Sequence, residues 1–255
     1  MDDLFKPVTI VKPRPRDRSS TDMLYVRSFL VLRTFIGALG VLLPVLVVFL
    51  DQLLFDGVPY GTAWPRGSVS VYYYSGMREV FVGTLSATGA FFVAYKVWER
   101  NLENLLSWAA GLSACLIALF PTWPPSTHVP ATPLQKLLEV SFVSQVHYVA
   151  SAAFLVSLML ISFFFGLREG KRASRVGMKR SPRFWRWFHW VCAGLMAAAL
   201  LWIIAANLTH VWSRSTLVGE WICAWAFGAS WFWKGLELDT IRGRPAKEVA
   251  PGPTL

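Results

Sequence analysis

The stretch QVHYVASAAFLVSLMLISFFFGL, residues 145–167, contains no Asp, Glu, Lys or Arg. At about 1.5 Å per residue, a helix of this length crosses the apolar core of a bilayer, which is about 30 Å thick. The next stretch, REGKRASRVGMKRSPRFWR at residues 168–186, contains eight Lys and Arg residues. An apolar block followed directly by a basic connection predicts a membrane-spanning helix that ends on the cytoplasmic side.

Five more apolar blocks lie along the chain, and the connections between blocks alternate between weakly basic and strongly basic. Of 25 Lys and Arg residues, 21 lie in the N-terminal segment and the start of the first block, in the second and fourth connections, or in the C-terminal segment. The exceptions are Arg66, Arg78, Lys136 and Arg214. This alternation predicts an all-α polytopic membrane protein, a bundle of six transmembrane helices with both termini in the cytoplasm.

The predicted chain has three parts. Residues 1–27 are a polar cytoplasmic arm, residues 28–236 the six-helix transmembrane domain, and residues 237–255 a cytoplasmic tail. The predicted spans cover about 29–54, 79–98, 105–120, 145–167, 184–208 and 216–236. Before the fourth span, Thr132-Pro-Leu-Gln135 predicts a capped surface helix.

Composition supports the membrane class. The chain is 55% hydrophobic, more apolar than a soluble domain of this length. The net charge is +10, and the basic residues lie in short stretches beside the apolar blocks. We therefore expect membrane lipids as partners and no nucleic acid. A membrane-protein partner or a second copy of the chain is a further candidate. The three cysteines form no CxxC pair, which argues against a disulfide scaffold or a structural zinc site.

Two local features predict how the helices pack. Pro44 lies inside the first block, and its ring predicts a kink there because it removes a backbone donor. Glu79, Gly83, Ser86 and Gly89 recur at helical spacing in the second block. A stripe of small residues is typical of close helix contacts in membranes.

The outer ends of the predicted helices collect polar residues. We predict a ligand-binding pocket there, lined by Tyr74, Arg78, Glu79, His147, His210 and Glu220. Ionisable groups near a membrane interface are costly and tend to face a bundle interior or a cavity. A simpler alternative for Glu79 and Glu220 is stabilisation by the helix dipole, about 0.3–1 kcal/mol. For His210 the alternative is an ordinary loop position.

The predicted pocket could act as a catalytic site or as a metal site. His147 and Glu79 are the candidate catalytic groups, and with Glu220 they form a candidate metal-ligand set. One imidazole and two carboxylates suit zinc. However, no HxxxH or HExxH spacing brings two of these ligands onto one helix face. The cofactor therefore stays open, with zinc as the candidate ion.

Several segments carry a resemblance to a known family. The segment SVSVYYYSGMREVFVG (68–83), ALFPT (118–122), His147 and WAFGASW (225–231) followed by Lys234 resemble the pattern of an uncharacterised family of bacterial multi-pass membrane proteins. The likeness covers about Arg33 to Gly235 and implies a six-helix fold in the bacterial inner membrane. The family usually has Asp where this chain has Glu79. No established chemistry accompanies the resemblance.

The chain is also distantly similar to the alkaline ceramidase and adiponectin-receptor type of membrane hydrolase. Those proteins hold zinc with three histidines, assisted by a serine and an aspartate. The similarity implies analogous places for Ser70, Glu79 and His147. Those enzymes have seven spans and a paired-histidine motif, whereas this chain has six predicted spans and no such pair.

Two functions follow as expectations. The first is a non-enzymatic membrane protein whose outer pocket binds a lipid, a small ligand or a partner. The second is a metal-dependent, membrane-embedded lipid hydrolase. The incomplete ligand set favours the first, and whether the protein is an enzyme is left open by the sequence.

Overall fold

The computed structural model describes residues 15–55, 64–94, 102–170, 182–210 and 212–235. In these ranges the chain forms α-helices, one short 3-10 helix at Ser70–Tyr74, and no strand. The helices are α1 (Pro15–Phe55), α2 (Arg78–Ala94), α3 (Leu102–Leu119), α4 (Pro133–Leu138), α5 (Val140–Gly170), α6 (Pro182–Thr209) and α7 (Ser215–Gly235). The predicted all-α class is confirmed.

Four helices are long and apolar enough to cross a membrane. They are Val31–Phe55 within α1, Leu102–Leu119, Val140–Glu169 and Pro182–Thr209. These agree with the first, third, fourth and fifth predicted spans. The other two long helices, α2 with 17 described residues and α7 with 21, are not among these four.

Helix boundaries differ from the prediction at two places. Helix α1 begins at Pro15, inside the predicted polar arm. Proline is well suited to a first helical turn, but the polar residues that follow it give no apolar periodicity from which a helix could be predicted. Helix α5 begins at Val140, ahead of the predicted span, because Glu139 adopts a positive φ of 69° and separates α4 from α5.

The long helices form a closed ring. Each packs against its neighbours in the order α1, α2, α3, α5, α6 and α7, and α7 packs against α1. Helix α5 also contacts α7 across the ring. Two buried hydrophobic clusters fill the interior, one around Tyr72 and Phe81 and the other around Phe92 and Trp231, with Phe154 packed against both.

Close helix contacts depend on specific glycines. A Cβ atom on Gly89 of α2 would lie 2.9 Å from the carbonyl oxygen of Gly111 on α3. The predicted contact stripe is thus confirmed at Gly89. It is wrong at Gly83, where a Cβ atom would meet nothing within 4 Å, and at Ser86, which is exposed. The stripe wraps around α2, so only part of it faces α3.

The capping box predicted before the fourth span has a clear structural counterpart. The hydroxyl of Thr132 accepts a hydrogen bond from the Gln135 backbone N–H, and the Gln135 side chain accepts one from the Thr132 N–H. The predicted capping box of α4 is therefore confirmed. Pro44 lies inside α1, and near it the indole of Trp225 donates to the carbonyl of Val41, at 3.1 Å.

Candidate functional site

Two connections fold over one end of the bundle. They comprise residues 64–77 and 120–139, and we call this the Tyr74 end. The Tyr74 hydroxyl donates to the carbonyl oxygen of Thr122 at 2.6 Å, and the side-chain amide of Gln135 donates to the Tyr74 oxygen at 2.8 Å. Burial raises the pKa of Tyr74 to about 12, so the phenol stays protonated near neutral pH. Tyr74 therefore fastens the first connection to the second.

A cleft of about 600 Å³ opens between these two connections. Its described lining consists of Phe55, Tyr73, Tyr74, Ser75, Gly76, Arg78, Val129, Pro130, Ala131, Thr132 and Pro133. Of the six residues predicted to line a pocket, Tyr74 and Arg78 are among these. Arg78 is the one charged side chain in this described lining. The volume lies in the range of pockets that bind small molecules.

Arg78 is held in place by Tyr73. The guanidinium donates to the Tyr73 hydroxyl at 2.7 Å, and its central carbon lies 4.5 Å from the centre of the Tyr73 ring. A cation over an aromatic face is attracted by about 0.5–1 kcal/mol at an exposed site. Arg78 itself is exposed at the start of α2, so its remaining donors are available to a ligand in the cleft.

His147 lies inside the bundle and does not line the cleft. Its side chain is 1% exposed, and Nδ1 lies 2.6 Å from the carbonyl oxygen of Phe120. A carbonyl oxygen only accepts hydrogen bonds, so Nδ1 carries the proton. This bond ties α5 to the residue that follows α3.

Glu220 holds the first connection against α7. Its carboxylate accepts the backbone N–H of Val69 at 2.6 Å and the hydroxyl of Ser70 at 3.2 Å. Stabilisation by the helix dipole, the simpler alternative from the sequence, did not predict these two hydrogen bonds. These bonds give Glu220 a defined structural role outside the cleft.

The remaining predicted residues lie apart. Glu79 is exposed in the first turn of α2, where the helix dipole accounts for it. His210 is exposed at the end of α6 with a positive φ of 51°. Neither lines the cleft. Among the residues that the structure describes, no group of three His, Cys, Asp or Glu side chains is placed to hold a metal ion. The predicted set of His147, Glu79 and Glu220 is therefore not assembled into one site.

A buried ion pair at the Tyr74 end was not among the predicted site residues. Arg66 Nε lies 3.1 Å from Asp51 Oδ2, and neither side chain is more than 1% exposed. The Tyr72 ring lies beneath the guanidinium, 5.5 Å away. An aspartate within an apolar block was a visible signal, but nothing in the sequence named its partner.

The opposite end of the bundle holds a second charged cluster, which we call the Arg33 end. It consists of Arg33, Glu103, Arg168, Glu169 and Lys234. Arg168 pairs with Glu103 at 2.5 Å, and Lys234 pairs with Glu169. The Arg33 guanidinium carbon lies 4.7 Å and 4.8 Å from the ring centres of Phe165 and Trp231. Both carboxylates lay just outside the predicted spans, so sequence reasoning assigned them to connections.

The chain matches no family model, no curated protein sequence and no solved structure. The two family resemblances therefore stay predictions.

Proposed function

We propose that the protein is a non-enzymatic membrane protein whose cleft at the Tyr74 end binds the anionic head group of a membrane lipid. The observation that carries this proposal is Arg78, an exposed cation fixed by Tyr73 at the edge of a cleft of about 600 Å³. A guanidinium donates several hydrogen bonds in a planar fork that matches phosphate oxygens.

The surface around the cleft favours a lipid over a soluble ligand. Phe55, Val129 and Pro130 line the cleft beside Arg78. Nearby, Leu137 is 77% exposed and Trp123 54% exposed. Apolar side chains of this kind are stable in the interfacial region of a bilayer, where Trp is enriched. A head group at Arg78 would leave its acyl chains against this apolar surface.

The proposal includes a topology. We infer six spans, formed by α1, α2, α3, α5, α6 and α7, in the bacterial inner membrane with both termini in the cytoplasm. The distribution of Lys and Arg supports this orientation. The ring packing supports counting α2 and α7 with the four more apolar helices, since both complete the same ring. The Tyr74 end would then face outward.

Binding is preferred to lipid hydrolysis because the candidate catalytic groups do not share a site. His147 is buried against Phe120, whereas Glu79 is exposed, and neither lines the cleft. Elemental analysis of the purified protein tests this preference. Stoichiometric zinc that is lost in both His147→Ala and Glu79→Ala would contradict it and favour the hydrolase instead.

Lipid binding is tested with delipidated protein in detergent. Native mass spectrometry would follow titration with phosphatidylglycerol and, separately, phosphatidylcholine. We expect preference for the anionic lipid, and Arg78→Ala should weaken its binding on the order of tenfold, since a hydrogen bond to a charged group is worth about 1.5–3 kcal/mol.

Lys136→Ala is the matched control. Lys136 is exposed at the same end of the bundle but does not line the cleft, so this variant should bind phosphatidylglycerol as the wild type does. Equal weakening in both variants would mean that surface charge alone attracts the lipid. Unchanged binding in Arg78→Ala would reject the cleft as the site.

A further inference from the structure

A second cavity lies in the centre of the helix ring, beneath the first connection. Its volume is about 90 Å³. Three oxygen-bearing side chains line it: Ser70, Ser151 and Glu220. The rest of its described lining is apolar, namely Leu43, Pro44, Val69, Phe81, Leu85, Ile117, Phe154, Leu155 and Ala224. Helices α1, α2, α3, α5 and α7 all contribute, so the cavity lies between the helices of the bundle.

The two hydroxyl groups that line this cavity can accept further contacts. Ser151 Oγ is buried and has no hydrogen-bond partner among the described residues. Ser70 Oγ donates to Glu220, which leaves lone pairs on the hydroxyl oxygen.

The charge of Glu220 also needs compensation. Its described partners are the Val69 N–H and the Ser70 hydroxyl, both neutral. No Lys, Arg or His in the described ranges forms an ion pair with it. A carboxylate among apolar side chains within a membrane is costly unless a countercharge or a proton accompanies it.

We propose that this cavity binds a small monovalent cation of the size of Na⁺, held by the Glu220 carboxylate with the hydroxyls of Ser70 and Ser151. Oxygen atoms are the ligands that hard cations prefer. A single carboxylate balances one positive charge, and the apolar walls disfavour a divalent ion that retains its water shell. Since one water occupies about 30 Å³ in the liquid, a cavity of this volume holds an ion with few waters. This site is separate from the lipid cleft, and its existence does not depend on the proposed function.

The test compares purified protein in sodium chloride and in N-methylglucamine chloride at equal ionic strength. We expect a higher Tm in sodium for the wild type and saturable binding of radioactive sodium. Glu220→Gln keeps an acceptor oxygen for the Val69 N–H, and its amide N–H can donate to the Ser70 hydroxyl oxygen, but it removes the charge. It should abolish both effects. Ser151→Ala should reduce both while leaving the Val69 and Ser70 bonds intact, so it also serves if Glu220→Gln fails to fold.

Ser162→Ala is the matched control. Ser162 is fully buried on α5, the helix that carries Ser151. Its hydroxyl also has no described hydrogen-bond partner, and it does not line the cavity. It should respond to sodium as the wild type does. Equal Tm in the two salts together with no saturable sodium binding would overturn the proposal. So would a sodium effect that persists in Glu220→Gln, because the carboxylate would then not be the ligand.

Discussion

Arg66 and Asp51 form an ion pair sealed from solvent, with 3.1 Å between Nε and Oδ2 and side-chain exposures of 1% and 0%. Arg66 lies in the first connection and Asp51 near the end of α1. The pair therefore fixes the connection that carries Tyr74 and Arg78 onto the helix ring. Both the cleft at the Tyr74 end and the second cavity depend on that placement, since residues of this connection line each of them.

Asp51→Asn should destabilise the protein strongly, because it leaves the Arg66 charge buried without its carboxylate. Removing one partner of a buried pair costs about 3–5 kcal/mol. The free energy of unfolding would be measured in mixed micelles by tryptophan fluorescence. Asp51→Leu combined with Arg66→Met removes both charges and should cost less than Asp51→Asn. If the double variant were less stable than Asp51→Asn, the unpaired Arg66 charge would not be the cause of the lost stability. The exposed Glu79→Gln should lower the free energy of unfolding by no more than about 1 kcal/mol, the upper end of a helix-dipole contribution.

Alanine substitution at Gly89 and at Gly83 should have opposite effects. At Gly89 the new Cβ would lie 2.6 Å from Cys115 Sγ and 2.9 Å from the Gly111 carbonyl oxygen, so α2 and α3 must move apart at a cost of about 1–3 kcal/mol. At Gly83 nothing lies within 4 Å, and the higher helix propensity of Ala should stabilise by up to about 1 kcal/mol. Both are measured by the same unfolding assay. Equal losses at the two positions would contradict the packing of α2 on α3.

Alkaline pH should weaken the connection held by Tyr74. Burial raises the pKa of its phenol from 10.0 to about 12 in the folded protein. Below the unfolded value the stabilisation is fully present, and it is lost as pH rises from about 10 through 12, because the unfolded chain releases the proton first. Tyr74→Phe removes this titration, so the Tm difference between wild type and variant should shrink across that range. A Tm difference that stays constant with pH would contradict the assignment of this titration to Tyr74.

The sequence predicted the helical architecture better than the site because the two depend on different information. Apolar blocks and basic connections are local in the chain, as is the capping box of Thr132 and Gln135. The bond between Gln135 and Tyr74 joins residues 61 positions apart, and that between Ser70 and Glu220 joins residues 150 apart. Gln135 could be predicted as a cap, but its second hydrogen bond could not, since it depends on how the two connections fold together.

Polar residues at helix ends illustrate the same limit. Arg78 and Glu79 are adjacent in sequence, yet only Arg78 lines the cleft, because the Tyr73 hydroxyl and ring hold its guanidinium. His147 has the residue type of a catalytic group, but its Nδ1 is committed to the Phe120 carbonyl. Residue type and position therefore identified the candidates, and the tertiary contacts determined which of them a ligand could reach.

The inferred orientation makes a prediction that is independent of any ligand. A cysteine at Ser126, in the connection between α3 and α4, should react with a membrane-impermeant thiol reagent added to intact cells, because the inferred orientation places the Tyr74 end outside. A cysteine at Ser174, in the basic connection after α5, should react only after the membrane is opened. Both variants would be made with Cys115, Cys192 and Cys223 replaced by Ala, so that no other thiol is labelled. Labelling of Ser174→Cys from outside, with Ser126→Cys protected, would reverse the topology and place the lipid cleft and its Arg78 in the cytoplasmic leaflet.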